Sequence, residues 1–335
     1  MRILLILTGG TIACTVKNNK ISASADTAYD ILNIYKSKNP ACNIEFIVVQ
    51  PFTILSENYT SHTYNMLIEF LYSCDSNQYD GVIITHGSDT LSYTSALVGM
   101  LLREIQIPVL LTAADYPLND PRTNGLSNFS ACVEFIKSNT TKGVFTAYGT
   151  VNNTSIYLAT RICEADPVTD TFSSLGNGVI AQIINGKICN INTELIELLK
   201  TQNNRLLQNK PIIKNDILLI KTYPNQSFDC YNIDNTTAVV IYMYHSATAC
   251  TVGENTNICK FIEKCNRKNV PVYLASHKVQ ETEYTTSYEI AQYPHIKLYN
   301  ISKESAYTKA LLAYNQSEFN PEDIMKTNIY FEENY

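Results

Sequence analysis

The sequence predicts an α/β protein built from mainly parallel sheets in two domains. Short apolar runs of strand length recur along the chain, segments of helical length separate them, and one polar stretch divides the series in two. Strands that are apolar throughout are typical of parallel sheets covered by helices on both faces. The chain of 335 residues also exceeds the roughly 250–300 residues at which single cores stop growing. We therefore expect two domains.

The predicted strands and helices follow from these patterns. Seven apolar runs have the length of buried strands: Ile3–Leu7, Ile44–Val49, Val82–Thr85, Val109–Thr112, Ile217–Ile220, Val239–Tyr242 and Val272–Ala275. Five intervening segments have the length or the i, i+3, i+4, i+7 spacing of helices: Tyr64–Tyr72, Leu91–Ile105, Ser127–Lys137, Ile258–Arg267 and Glu304–Tyr314.

The domain boundary is predicted from a change in composition. Residues 192–215 are polar, contain Pro211 and separate the two series of strands and helices. We therefore predict a catalytic α/β domain over 1–191, a linker over 192–215 and a second α/β domain over 216–335.

Composition favours a small-molecule partner. The net charge is −6 and no lysine-rich block is present, so the sequence lacks the charge pattern of a protein that binds nucleic acid or an anionic membrane. The ten cysteines are scattered without a CxxC pair, which predicts neither a metal site nor a disulfide framework. Only five apolar residues follow Met1-Arg2, too few for a signal sequence. These features predict a cytoplasmic protein.

Two polar turns follow predicted strands and carry the candidate chemistry. The stretch LLILTGGTIA ends its strand in Thr8-Gly9-Gly10-Thr11, and the strand Val82–Thr85 ends in His86-Gly87-Ser88-Asp89-Thr90. In a parallel sheet, ligands bind beyond the carboxyl ends of the strands, where both turns are expected to lie. The first turn has neither the GxGxxG nor the GxxxxGK[ST] spacing of a nucleotide-binding loop, which disfavours phosphate binding there.

Each turn also has a structural interpretation. The glycines of the first turn allow a bend, and Thr8 or Thr11 caps the next segment. In the second turn, Ser88 or Asp89 is a good N-cap for the helix that begins near Leu91. The combination of the two turns favours chemistry, because a weakly nucleophilic hydroxyl needs an activating neighbour and a Ser-Asp pair offers one. Amide hydrolysis is therefore plausible.

The two turns resemble the signatures of the bacterial-type L-asparaginase (asparaginase/glutaminase) family. TGGTIA and ITHGSDTL are similar to the family's TGGTIA and HGTDT motifs, 109–131 is similar to its strand, proline loop and asparagine-bearing helix, and 55–58 (LSEN) to its substrate loop. The resemblance covers most of the first 190 residues and is only general in the second half. It implies an asparaginase-like fold, conversion of L-asparagine to L-aspartate and ammonia without metal or cofactor, and a homodimer or homotetramer.

The resemblance also implies roles for individual residues. Thr11 would be the nucleophile that forms an acyl-enzyme. Ser88, where the family has threonine, would pass a proton, and its backbone N–H would help to hold the oxyanion. Asp89 is grouped with Thr11 and Ser88 as catalytic and would bind the substrate's α-ammonium group. Gly87, in the same turn, would contact the substrate.

Further substrate contacts are implied on two neighbouring segments. Ser56 would bind the α-carboxylate of the substrate, and Glu57 stands where another polar contact to the amino acid is expected. Ala113, with Ala114 beside it, lies where the family brings a strand end close to the departing amide.

Two family residues have no evident counterpart. Arg161 or Cys163 aligns with the family's catalytic lysine, and an arginine that stays protonated cannot act as a base. Its alternative role is a surface ion pair with Glu164 or Asp166. Lys20 falls near the position of the family's loop tyrosine, and Tyr29 is a possible substitute.

These departures leave other functions open. One alternative is a glutaminase or another small-amide hydrolase, and a second is an amino-acid-binding homologue with impaired catalysis. A third, an amidotransferase subunit that acts on charged tRNA, is disfavoured by the acidic balance of the chain.

Overall fold

The computed structural model describes residues 1–17, 20–23, 29–201, 207, 210–278 and 282–334, with 13–17 and 20–23 described by their backbone alone. The chain divides into two compact units, Met1–Asn204 and Arg205–Tyr335.

The first unit alternates strands and helices. Its strands are β1 (Arg2–Leu7), β2 (Cys14–Lys17), β3 (Lys20–Ala23), β4 (Glu45–Val49), β5 (Gly81–Thr85), β6 (Pro108–Thr112), β7 (Gly143–Thr150), β8 (Asn153–Leu158), β9 (Ile162–Cys163), β10 (Ser173–Ser174), β11 (Val179–Ile184) and β12 (Lys187–Cys189). Its helices are α1 (Asp30–Lys38), α2 (Ser61–Ser73), α3 (Leu91–Leu101), α4 (Gly125–Ser138) and α5 (Thr193–Leu199).

The main sheet of this unit has the order β12-β11-β8-β7-β6-β5-β1-β4 among the described residues. Strands β4, β1, β5, β6 and β7 are parallel, and β8, β11 and β12 extend the sheet in antiparallel pairs. The residues of β5 and β6 are buried along their whole length, as continuous apolar strands covered on both faces require.

The order of the parallel strands creates a crevice beside β1. The chain passes from β1 to β4 on one side and then returns to β5 on the other side. This reversal is the topological switch point of a doubly wound sheet, where ligands bind outside the carboxyl ends of the strands. The two polar turns follow β1 and β5, the strands that border this point.

The second unit contains a four-stranded parallel sheet in the order β13-β14-β15-β16. Its strands are β13 (Asp216–Lys221), β14 (Thr236–Tyr242), β15 (Val272–His277) and β16 (Ile296–Tyr299), and its helices are α6 (Ile258–Arg267), α7 (Thr285–Ile290), α8 (Lys303–Ala313) and α9 (Pro321–Met325). Buried side chains from β14, β15 and α6 form its core.

The predicted α/β class with mainly parallel sheets is confirmed. All seven apolar runs fall on strands, and the five helical segments fall on α2, α3, α4, α6 and α8. The segment predicted as a linker begins with helix α5, because the Asn192 side chain caps it by accepting a 3.0 Å hydrogen bond from the Leu195 N–H and because Leu195 and Ile196 are buried. Within the described ranges, no helix has the length and apolar character needed to cross a membrane.

Candidate active site

The first polar turn is held against the end of β5 by a buried threonine. The Oγ1 hydroxyl of Thr8 donates a 2.6 Å hydrogen bond to the carbonyl oxygen of Thr85, and the hydroxyl of Tyr59 donates a 3.0 Å hydrogen bond to the same Oγ1. Thr8 is fully buried. These bonds join the ends of β1 and β5 to the loop that precedes α2, so the hydroxyl of Thr8 is used for structure.

The two glycines of this turn allow neighbouring backbones to approach. Gly9 and Gly10 have φ angles of 113° and 77°, which side-chain-bearing residues rarely adopt. A Cβ on Gly10 would lie 2.3 Å from both the Gly87 nitrogen and the His86 oxygen. The first turn therefore packs directly on the second. Thr11, which follows Gly10, begins a short 3₁₀ turn and is partly exposed.

The segment after β4, which contains Ser56, packs against the second turn. A Cβ on Gly87 would lie 2.4 Å from Ser56 Oγ, and Thr90 donates a 3.1 Å hydrogen bond from Oγ1 to the Ser56 carbonyl. Ser56 is 1% exposed, and its Oγ has no hydrogen-bond partner within the described part of the chain. A buried hydroxyl in that state offers a contact to a ligand.

The capping interpretation of the second turn is wrong. Helix α3 begins at Leu91, its N-cap position is Thr90, and no side chain makes the capping hydrogen bond. Because Thr90 occupies the N-cap position, Ser88 and Asp89 are not used as caps. Their side chains are left at the carboxyl edge of the sheet, where chemistry is expected.

Asp89 lies in an electrostatically unfavourable place for a carboxylate. Partial burial raises the pKa of its carboxyl above the usual value, and the nearby charges of Glu57 and Asp170 raise it further. The charge of Glu57 therefore acts on Asp89, an arrangement that suits two residues expected to contact one substrate.

His86 has a structural role in this turn. Its ring is fully buried, packs edge-on against Tyr59 with the ring centroids 4.8 Å apart, and places Nδ1 2.8 Å from the carbonyl oxygen of Gly87. Because a carbonyl only accepts, Nδ1 carries the proton in this contact. Burial lowers the pKa of the imidazole to about 4, so the ring is neutral near pH 7.

An acidic cleft of about 260 Å³ opens beside Ser88 and Asp89. Its lining, which defines the acidic cleft, consists of Ser88, Asp89, Asp115, Tyr148, Glu164, Ala165, Asp166, Pro167 and Asp170. Among the described residues, no three His, Cys, Asp or Glu side chains are grouped so that they could hold a metal ion.

The segment after β8 brings three charged residues, Glu164, Asp166 and Asp170, to the acidic cleft. Neither Arg161 nor Cys163, which align with the family's lysine, is part of its lining. Arg161 is 4% exposed, so its side chain does not lie at the surface as its alternative role assumed. Tyr93 donates a 2.9 Å hydrogen bond from its hydroxyl to Glu164 Oε1. The cleft therefore has an anionic side chain in the segment where a cation was expected.

Sequence reasoning missed Tyr148. This residue of β7 is 2% exposed, lines the acidic cleft, and has a hydroxyl without a hydrogen-bond partner in the described ranges. Burial raises its pKa to about 12, so the hydroxyl stays protonated and can donate. The strand around it was not predicted, although the alternation of Val144, Thr146 and Tyr148 on one face of β7 was a usable signal.

The remaining predicted residues are placed differently. Ala113 is fully buried and its carbonyl accepts a 3.0 Å hydrogen bond from Asn128 Nδ2, and it does not line the acidic cleft. The side chain of Lys20 lies outside the described part of the chain. Tyr29 is 42% exposed and occupies the N-cap position of α1.

The fold and the two converging turns define an α/β protein with hydroxyl and carboxylate side chains at its switch point. A family model described as "Asparaginase, N-terminal" matches residues 2–196, which is more than half of the chain. The chain therefore belongs to the asparaginase family.

The curated relatives include proteins with two different names. The chain is 27% identical over 340 residues to a glutamyl-tRNA(Gln) amidotransferase subunit of Methanosphaera stadtmanae, a match that covers 97% of this chain and 75% of the relative. It is also 27% identical over 192 residues to the L-asparaginase of Thermococcus kodakarensis, covering 55% of this chain and 54% of the relative.

Solved structures agree with the fold. The thermostable L-asparaginase from Thermococcus kodakarensis is similar with a TM-score of 0.79 at 21% identity, covering 100% of both chains. L-asparaginase I from Vibrio cholerae is similar with a TM-score of 0.77 at 17% identity, covering 100% of this chain and 99% of that chain. At these identities the likeness establishes the fold, while the activity has to be argued from the site.

Proposed function

We propose that this protein is an amidohydrolase that converts L-asparagine to L-aspartate and ammonia through a covalent acyl-enzyme on Thr11. The Thr11 hydroxyl attacks the side-chain amide carbon, the C–N bond breaks with proton transfer to the departing ammonia, and water then hydrolyses the ester.

The packing of Gly10 on the His86–Gly87 peptide is the observation that carries this proposal. It brings the residue after Gly10, Thr11, to the turn that bears Ser88 and Asp89, at the switch point where ligands bind. Membership of the asparaginase family supports the same chemistry.

The surrounding residues supply recognition in this proposal. Asp89 and Glu57 bind the α-ammonium side of the substrate, since both are acidic and the charge of Glu57 acts on Asp89. The unpartnered Ser56 hydroxyl beside Gly87 binds the α-carboxylate of the substrate. Ser88 passes a proton, and its N–H stabilises the oxyanion. Ala113 lies at the strand end next to the departing amide.

Ammonia release tests the proposal. Wild type is assayed with L-asparagine, L-glutamine and D-asparagine beside Thr11→Ala, and Thr140→Ala, at the opposite edge of the sheet, is the matched control. We expect release from L-asparagine that Thr11→Ala reduces by at least about 10³-fold and the control leaves unchanged. Equal rates for wild type and Thr11→Ala would refute the proposed nucleophile.

A second candidate is a glutamine-hydrolysing component of an amidotransferase. It is supported by the relatives named as glutamyl-tRNA(Gln) amidotransferase subunits, which match up to 97% of the chain. Thr11-dependent release that is faster from L-glutamine than from L-asparagine would favour it. Thermal stabilisation by either amino acid without release would indicate a binding homologue instead.

A homodimer or homotetramer in the cytoplasm belongs to the same proposal. The cysteines whose side chains the structure describes are free thiols, which fits a reducing compartment. Light scattering of the purified chain tests the oligomeric state.

A further inference from the structure

The side-chain carboxamide of the proposed substrate still needs a partner for its NH2 group. In the proposed complex, Asp89 and Glu57 receive the α-ammonium group, Ser56 binds the α-carboxylate, and the Ser88 N–H serves the amide oxygen. An N–H donor that a binding site covers without an acceptor weakens binding. The residue that supplies this acceptor also decides whether the site distinguishes L-asparagine from L-aspartate, since the two differ only at that group.

Asp115 differs from the other carboxylates of the acidic cleft in its burial. It is half-buried, whereas the other four acidic residues of the lining are exposed. It follows the end of β6, which pairs with β5, the strand that leads to Ser88 and Asp89. Burial raises the pKa of the Tyr148 hydroxyl to about 12, and the charge of Asp115 adds to this effect. Asp115 therefore belongs to the inner wall of the cleft.

The backbone holds one oxygen of the Asp115 carboxylate. Its Oδ1 accepts a 2.7 Å hydrogen bond from the N–H of Tyr116 and a 2.9 Å hydrogen bond from the N–H of Asn124. Within the described ranges, no donor bonds to Oδ2. Oδ2 is therefore the oxygen available to a ligand, and its position is fixed before a ligand binds, which favours affinity.

Asn124 fixes the segment that carries Asp115. It is 3% exposed, its Oδ1 accepts a 3.0 Å hydrogen bond from the Asp115 N–H, and its Nδ2 donates a 2.8 Å hydrogen bond to the carbonyl oxygen of Gly149 on β7. Asp115 and Asn124 thus bond to each other in both directions, side chain to backbone. This pair joins the loop after β6 to β7, so the carboxylate is held from two strands.

We infer that Asp115 recognises the side-chain carboxamide of the substrate. Its Oδ2 accepts a hydrogen bond from the amide NH2 group, and the same negative charge repels the carboxylate that replaces this group in L-aspartate. Asp115 therefore favours binding of the substrate over binding of the product. This inference rests on the proposed amidohydrolase function and adds a specificity-determining residue to it.

Asp115→Asn changes the one atom on which the inference depends. The amide oxygen of the substituted side chain can still accept from the N–H groups of Tyr116 and Asn124, so its NH2 group takes the place of Oδ2. A negatively charged acceptor thereby becomes a neutral donor. The variant should bind a carboxamide less tightly and a carboxylate more tightly, and urea unfolding verifies that it keeps its fold.

Binding is measured in the Thr11→Ala background, in which the proposed turnover is blocked. Calorimetry at about pH 7 gives the Kd of L-asparagine and of L-aspartate, whose side-chain carboxyl has an ordinary pKa of about 3.9 and is ionised. With Asp115 in place, L-asparagine should bind at least about tenfold more tightly than L-aspartate, as expected of a hydrogen bond to a charged group. Asp115→Asn should reduce this ratio by at least about tenfold.

Two control variants remove a negative charge elsewhere. Asp166→Asn acts on an exposed carboxylate of the same cleft, whose Oδ1 is held by the N–H groups of Val168 and Thr169. Glu104→Gln makes a charge change of the same size in an exposed residue before β6, at the opposite edge of the sheet. The ratio should fall far less in Asp166→Asn than in Asp115→Asn, and it should be unchanged in Glu104→Gln.

The outcomes distinguish this inference from the proposed function. L-Aspartate that binds as tightly as L-asparagine when Asp115 is present, an unchanged ratio in Asp115→Asn, an equal fall in Asp166→Asn, or binding of neither probe would overturn the inference. The amidohydrolase proposal would stand in each case if wild type shows Thr11-dependent ammonia release. A ratio that depends on Asp115, without ammonia release from wild type, would support carboxamide recognition and overturn the proposed turnover.

Discussion

Thr8 and Thr85 are joined by a 2.6 Å hydrogen bond from the Oγ1 hydroxyl of Thr8 to the carbonyl oxygen of Thr85. Both residues are fully buried, and the bond crosses the switch point between β1 and β5. The Oγ1 atom also accepts from Tyr59. One hydroxyl therefore holds the ends of β1 and β5, from which both turns of the candidate site begin.

Replacing this hydroxyl should destabilise the first unit. In Thr8→Val the Thr85 carbonyl loses its side-chain donor and the Tyr59 hydroxyl its acceptor, and the loss should be about 1–3 kcal/mol of unfolding free energy. Urea unfolding measures it. Thr140→Val, in which the lost contact is exposed, should change stability by less than about 0.5 kcal/mol. Equal effects of the two variants would contradict the role of Thr8.

Gly10→Ala should reduce the unfolding free energy by more than the left-handed backbone conformation of Gly10 alone explains. The left-handed φ costs an alanine about 1–2 kcal/mol, and the 2.3 Å approach to the His86–Gly87 peptide adds roughly 1–3 kcal/mol of overpacking. Gly186→Ala is the matched control, because Gly186 has a φ of 73° and nothing within 4 Å of the added Cβ. Unfolding measurements that give equal losses would rule out a tight contact between the turns. Ammonia release should fall only in Gly10→Ala.

The sequence identified the turns because apolar strands followed by Gly, Thr, Ser and Asp are local patterns. The residues that surround those turns depend on pairing between distant segments. Glu164 reaches the acidic cleft after β8, and Tyr148 belongs to β7, which pairs parallel with β6 and antiparallel with β8. These pairings join segments that are distant in the sequence, so alignment of Arg161 or Cys163 with the family's lysine did not indicate that Glu164 lines the cleft.

Acidification should destabilise the protein partly through His86. Its pKa is about 4 in the folded state and about 6.5 when unfolded, so the unfolded chain binds more protons between these values. The contribution of His86 to the unfolding free energy is fully present above about pH 6.5. It is lost as the pH falls toward 4, by up to about 3 kcal/mol. His277, whose pKa is also lowered to about 4 by burial, adds to the loss.

The contribution of His86 can be isolated by comparing pH dependences. His86→Gln should flatten the fall in unfolding free energy between about pH 6.5 and pH 4, relative to its own value at neutral pH. His62→Gln, which replaces an exposed histidine, should retain the dependence of wild type. An unchanged dependence in His86→Gln would show that His86 does not titrate as a buried neutral ring.

Asp170→Asn should shift the acid limb of the pH–rate profile. The charge of Asp170 helps to raise the pKa of Asp89, and its removal should lower that pKa. If ionised Asp89 binds the substrate's ammonium group, kcat/KM falls as Asp89 protonates, and the limb should move to lower pH by a few tenths of a unit. Glu104→Gln is the control. An acid limb that stays at the same pH or moves to higher pH would show that the titration of Asp89 does not cause it.

The second unit contains a buried ion cluster that should be sensitive to charge removal. Lys309 Nζ lies 2.8 Å from Glu332 Oε1 and 3.1 Å from Glu333 Oε1, and all three side chains are at most 7% exposed. Glu332 also accepts hydrogen bonds from the N–H groups of Ile329 and Tyr330, so the cluster ties the end of the described chain to α8.

Lys309→Met should cost about 3–5 kcal/mol of unfolding free energy, because it leaves two buried carboxylates without their cation. Lys326→Met breaks a pair with Glu322 in which both side chains are about half exposed, and its effect should stay below about 1 kcal/mol. Chemical unfolding monitored by tyrosine fluorescence provides both values. Raising the pH should not restore the unfolding free energy that Lys309→Met loses. Adding Glu332→Gln to that variant should recover part of this free energy, because it removes one buried charge. A Lys309→Met variant as stable as Lys326→Met would mean that the cluster does not stabilise the second unit.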